Sequence, residues 1–305
     1  MKKQEKKLDL HIIGVSTLDT IYNVSNLAGI AETSYTYSSK IRTWGGVGNF
    51  IPALSDSKLS VEITTWGTLE FASLKYKLPD NITININIKQ KDNSALILEG
   101  PGIGLSGSRL DKVSYVNWAD NKQQKSLKRI PRSRWTHISY LDILENLDLK
   151  PIKENTEILS ADVCLTNPSK VTIKKVLQNL KYLDYIFLST NEIDAFNSTT
   201  PLAASSLVKV TEKVASTLNH YKMKTNAICH SPYWATIVDK RRMLCKKNDF
   251  TSTDIEHVVG AGDKFCAKFI EYLLNSKEIN DSKLMSALVE SQKRVVKCLD
   301  KHVSI

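Results

Sequence analysis

Apolar, β-branched runs alternate with segments of helical spacing through most of this chain, and that alternation restricts the fold more than any other feature. "LHIIGV" (10–15), "VEITTWG" (61–67), "WTHISYL" (135–141), "ILSADVCL" (158–165), "YIFLST" (185–190) and "NAICHS" (226–231) read as strands. Helical patterns run through 48–57, 169–180, 201–221, 264–274 and 282–301. Strands alternating with helices predict an α/β fold, a mostly parallel central sheet with helices on both faces. Residues 22–44 and 82–118 break the rhythm. Both are β-prone and polar at alternate positions, and "ITININI" (82–88) and "SALILEG" (94–100) lie within the second. They predict a small second sheet laid over the first, as two insertions in a single domain spanning 1–305.

The chain has 305 residues and a formal net charge of +10. Its densest basic runs, 122–134 and 239–247, are not interleaved with the aromatics that a base-stacking surface needs. They read as solvated surface, which argues against nucleic acid as a partner. No window is apolar over the roughly 18 residues that a membrane-spanning helix requires. "MKKQEKKLDL" is basic, but the following "HIIGV" is too short for a secretory core, so a cytoplasmic protein is expected. The five cysteines are widely spaced and form no CxxC pair, which disfavours a zinc knuckle or a disulfide framework.

In such sheets ligands gather at the carboxyl ends of the strands. The residues expected there are Asp19, then Gly45, Gly46 and Asn49, then Asn191 and Asp194, and finally Gly260, Ala261, Gly262 and Asp263. The last group lies in "HVVGAGDKFCAKF" (257–269), where a chain with only 12 glycines places two just before an aspartate and a helix. Unpaired backbone N–H groups at a helix start bind anions. A nearby aspartate can accept a proton from a hydroxyl. Together these suit phosphoryl transfer to an alcohol, which depends mostly on positioning and charge stabilisation. The same residues could also form a tight turn and a helix cap.

Four motifs, taken in order, resemble those of the ribokinase-like carbohydrate kinases, the phosphofructokinase B family. They are Asp19 in "GVSTLDTIYNV", Gly45, Gly46 and Asn49 in "WGGVGNFIPAL", Asn191 and Asp194 in "STNEIDAF", and Gly260 to Asp263. The resemblance covers nearly the whole chain and puts the family's substrate lid at the two β-prone insertions. It implies that Asp263 is the general base and that Gly260, Ala261 and Gly262 form the anion hole. Asp19, Gly45, Gly46 and Asn49 would hold substrate hydroxyls. Asn191, with Gly260 and Gly262, would serve the nucleotide, and Asn191 and Asp194 would organise Mg²⁺ through water. ATP is the implied donor, a sugar or nucleoside the implied acceptor, and pairing of two lids into a homodimer a further expectation.

The chain departs from the family pattern at identifiable places. "HVV" stands where the family has "DTT", and Lys264 follows the aspartate where a small residue is usual. Asn49 arrives one residue early. The turn in "ICHSPYWATIV" lacks the glycines usual near ATP. Two readings besides a kinase therefore stay open: a degenerate member kept for binding or regulation, and a polyanion-binding protein.

Overall fold

The structure is a computed structural model. It describes residues 7–25, 27, 37–68, 71, 78–88, 91, 93–101, 110–117, 127–144, 146–164, 170–189, 192, 214, 224–231, 234–239, 243–247 and 258–298. The expected helix at 201–221 lies outside these residues except for Val214. No helix among them is long and apolar enough to cross a membrane.

The first strand organises the molecule. β1 (Leu8–Val24) is 17 residues long, and its first half runs between β3 (Val61–Gly67) and β7 (Ser133–Ser139), parallel to both. β4 (Ile82–Ile88) extends the sheet beyond β3. β8 (Thr156–Asp162), β9 (Tyr185–Ser189) and β10 (Asn226–His230) extend it beyond β7, all in parallel. β11 (Trp234–Val238) and β12 (Met243–Lys247) close that edge in antiparallel fashion. The order is β12-β11-β10-β9-β8-β7-β1-β3-β4. A parallel sheet covered on both faces needs continuous apolar strands, which is why "LHIIGV" and "YIFLS" show no alternation.

Among the described residues, the helices that cover the faces are α1 (Phe50–Leu54), α2 (Leu149–Glu154), α3 (Lys170–Asn179), α4 (Ala261–Leu274) and α5 (Asp281–Val296). One core lies under α1, α4 and α5 and includes Leu10, Ile12, Trp135, Phe187 and Phe269. The other lies beneath α2 and α3 and includes Ile13, Ile138, Leu159 and Ile186. α4 is anchored by Phe265, Phe269, Ile270 and Leu273, all nearly inaccessible. Each such burial contributes roughly 1.5–3 kcal/mol.

Past Ser16 the second half of β1 leaves the main sheet and becomes the centre of a smaller one. There it pairs with β2 (Tyr37–Gly46) in antiparallel fashion and with β5 (Asn93–Pro101) in parallel, and β6 (Leu110–Asn117) joins β5. This is the expected second sheet, with corrected limits. Residues 82–88 do not belong to it. β4 is the edge strand of the main sheet, with Ile82, Ile84 and Ile86 packed on the core under α4. Strict alternation marks any strand with one covered face, so it could not tell one sheet from the other. The small sheet also begins in β1 itself at residue 16, ahead of the expected 22.

Candidate active site

The start of α4 lies against the carboxyl ends of the parallel strands. Gly260 caps it in the left-handed conformation (φ 75°), which any side chain would strain. Its Cα also has no room for a side chain, because an added Cβ would lie 2.6 Å from Asn49 Cγ and Oδ1. The Lys264 amide donates to the Gly260 carbonyl (2.9 Å) and that of Ala261 to the Val258 carbonyl (3.1 Å). Of the three expected anion-hole residues, Ala261 thus has its N–H committed to the turn. Gly262 faces His230, whose Cε1 would lie 3.6 Å from an added Cβ.

Asp263 is almost fully buried in the first turn of α4, where the helix dipole favours a carboxylate. Its Oδ2 accepts hydrogen bonds from Asn49 Nδ2 (2.7 Å) and from the Tyr140 hydroxyl (3.2 Å). Asn49, expected to meet substrate, sits between Asp263 and the Gly260 turn. Gly46 also has a positive φ (58°), and an added Cβ would run into the Val15 carbonyl and lie 3.5 Å from the Tyr140 ring. Gly45 faces Asp19, and a Cβ there would fall inside the Asp19 carboxylate and 2.6 Å from Thr17 Oγ1. Asp19 is buried at the start of the small sheet, opposite Thr43. Residues 19, 45, 46, 49, 260 and 263 therefore converge, as the sequence implied. Asn191 and Asp194 lie outside the described residues.

Several contributors gave no sequence signal. Tyr140, just past β7, has a hydroxyl pKa held well above its usual value by burial, then by the Asp263 carboxylate; Cys164, Asp162 and Asp19 reinforce this. Asp162, at the end of β8, is pushed up to about 8, chiefly by burial. The buried His137 beside it is held down at about 3 by burial. At neutral pH the pair therefore consists of a neutral acid and a neutral imidazole, with Asp162 Oδ2 donating to His137 Nε2 (3.4 Å). His137 Nδ1–H then donates to Ser160 Oγ (2.8 Å), which also accepts from Trp135 Nε1 (2.7 Å). Cys266 Sγ lies within 4.8 Å of a ring nitrogen of His137 and a carboxyl oxygen of Asp162, and all three residues are buried. Burial holds its thiol well above the usual range, so it is not an activated nucleophile.

Glu192 accepts the Ser189 amide (2.6 Å), and burial pushes its pKa up to about 8. Burial also pushes Asp142 up, to about 6. His230, stacked on Phe265 (centroids 4.7 Å), is held down at about 4 by burial. Lys264 is fully buried, unlike a first-turn cation facing water. Glu99 of β5, also fully buried, reaches from the small sheet to the loop before α4. Its Oε1 accepts the amides of Val258 and Val259 (3.0 Å for the latter).

No family model matches the chain, and no curated protein matches it. Solved structures do. A ribokinase from Cryptococcus neoformans var. grubii serotype A in complex with ADP matches with TM-score 0.70 and 12% identity, covering 98% of this chain and 96% of its own. A nucleoside kinase from Methanocaldococcus jannaschii gives 0.63 and 13%, covering 97% and 93%. A pyrophosphate-dependent kinase in the ribokinase family, in a sulfate complex, gives 0.59 and 16%, covering 97% and 96%. At such identities the likeness is one of fold, and it extends over essentially the whole chain: this protein has the ribokinase fold.

Proposed function

We propose that this protein is a ribokinase-like kinase that transfers a phosphoryl group from ATP to a hydroxyl of a sugar or nucleoside. The observation that carries the reading is Asp263, a buried carboxyl at the start of α4, oriented by Asn49 and Tyr140 beside the left-handed Gly260 turn. In this reading the acceptor hydroxyl passes its proton to Asp263 as its oxygen bonds to the γ-phosphorus. The bridging P–O bond breaks, and ADP leaves. A positioned base contributes roughly 100- to 10,000-fold. The backbone N–H groups of Gly260 and Gly262 would form the anion hole that stabilises charge on the transferring group.

Asp19, Gly45 and Gly46 line the acceptor side, and Asn49 serves it by holding the base. Mg²⁺ would neutralise the donor phosphates. Glu192 and Asp142 offer carboxyl oxygens to a hard cation, and after burial the repulsion of Asp162 and Asp142 helps to raise the Glu192 pKa. A divalent ion relieves such repulsion. Asn191 and Asp194 would complete the site through water.

The test is calorimetric titration of ATP with Mg²⁺, with and without a pool of sugars and nucleosides, followed by a transfer assay with ATP, GTP or pyrophosphate as donor. Enhanced donor affinity and turnover that Asp263→Asn abolishes are the expected results. Turnover by that variant at the parental rate would overturn the assignment of the base. Acceptor binding without turnover by any donor would instead support a binding protein on the same fold, a reading favoured by the lack of glycine in the sequence "ICHSPYWATIV".

A further inference from the structure

Tyr140 is the non-glycine residue with positive φ (62°) among the described residues. Bulky side chains avoid this region, and it persists where neighbours over-determine the backbone. Here Asp162 does so from two directions. Its Oδ1 accepts the Tyr140 amide (2.5 Å), and its backbone carbonyl accepts the Leu141 amide (3.0 Å). The Ile143 amide then donates to the Tyr140 carbonyl (3.0 Å) and closes the turn. Asp162 is fixed in its place by His137, which Ser160 and Trp135 hold in turn.

The left-handed backbone turns the tyrosine out of the course of β7. Its ring comes to lie beside Gly46, and its hydroxyl reaches Asp263 Oδ2. Asn49 addresses the same oxygen from the opposite part of the chain. Two donors on one oxygen fix the rotation of a carboxyl group, which a single donor leaves free to swing about that contact. Burial keeps the phenol protonated, so it stays a donor at any working pH.

We propose that Tyr140 is a positioning residue for Asp263: held in a strained conformation by Asp162, it orients the carboxyl group through its hydroxyl. The proposal rests on the kinase reading only for what the oriented carboxyl does. Its geometric content stands apart from any reaction.

The test compares the parent with Tyr140→Phe, which keeps the ring and loses only the hydroxyl. Crystal structures of both report the rotation of Asp263, and kinetics report kcat and KM separately. We expect the carboxyl to rotate away from its parental orientation, with kcat falling about 10- to 100-fold, as small misplacements of reacting groups do. Acceptor KM should change less than about 2-fold. Tyr140→Gly, whose backbone accepts positive φ without strain, should show the same loss of kcat and carries the test if the phenylalanine variant folds poorly. A variant with the carboxyl in its parental place and parental kcat would overturn the proposal. If the parent transfers no phosphoryl group, the kinase reading fails alone, and the crystallographic comparison still decides on Tyr140.

Discussion

Asn49 and Asp263 are 214 residues apart in the chain, yet their side chains meet at 2.7 Å. The contact ties the short helix after β2 to the start of α4, and it leaves no room on the Gly260 Cα. Gly260→Ala would combine a left-handed non-glycine residue with a Cβ 2.6 Å from Asn49. We expect it to lower unfolding free energy in urea by about 1–3 kcal/mol and, if Asp263 is the base, to reduce the proposed phosphoryl transfer more than about 10-fold by displacing Asn49 from it. A variant as stable and as active as the parent would show that the turn is not constrained as described.

Glu99 explains why "HVV" can stand where the family has "DTT". Val259 is buried among Ile21, Ala95 and Ile97 of the small sheet, while the Val258 and Val259 amides bond to Glu99. The loop is thus fastened to the small sheet by an apolar plug and a carboxylate, and hydroxyl side chains would sit badly there. Glu99→Ala leaves the buried Val259 amide without that acceptor, at roughly 1–3 kcal/mol, and the half-buried Val258 amide at less, whereas Glu99→Gln keeps a carbonyl oxygen. Hydrogen exchange at Val258 and Val259 should quicken markedly in the alanine variant and only slightly in the glutamine one. Equal protection in all three proteins would dismiss the latch.

These two contacts also indicate what could be read from the sequence. Asp19, Gly45, Gly46, Asn49, Gly260 and Asp263 were legible because glycines and carboxylates at strand ends mark turns and ligands. The alternating sheet and helices were legible from periodicity. Tyr140, Asp162 and Glu99 were not, because their roles depend on a positive φ, a network between adjacent strands and a contact across 159 residues. Nothing local encodes these.

Asp19 offers a prediction that separates the two substrates. Gly45→Ala places a methyl group where the Asp19 carboxylate now lies, so the carboxylate must move. Because Asp19 is read as holding the acceptor, acceptor affinity should fall about 10-fold or more, the scale of a lost hydrogen bond to a charged group. Donor affinity, measured by calorimetry without acceptor, should stay within about 2-fold. Equal loss of both would mean that the substitution damages the whole site.

The buried titrating groups predict how stability depends on pH. Burial raises Asp162 and Glu192 to about 8 and Asp142 to about 6. Their contribution is fully present below about pH 4, where unfolded carboxyls are protonated as well, and is lost as pH rises through those values. Burial lowers His11 and His137 to about 3 and His230 to about 4. Their contribution is present above about pH 6.5 and is lost as pH falls toward 3. From about 4 to 6.5 the two trends oppose each other. From about 6.5 to 8 only Asp162 and Glu192 still act, so stability declines with rising pH across that window. Thermal unfolding at half-unit steps should show the midpoint falling between pH 6.5 and 8 and flattening up to about 9, above which the buried Cys229, Cys266 and Tyr140, whose pKa values burial raises, lower it again. Asp162→Asn, which imitates the protonated acid, should make that decline shallower. A parental slope in the variant would mean that Asp162 is already ionised at neutral pH and that the His137 pair carries a charge.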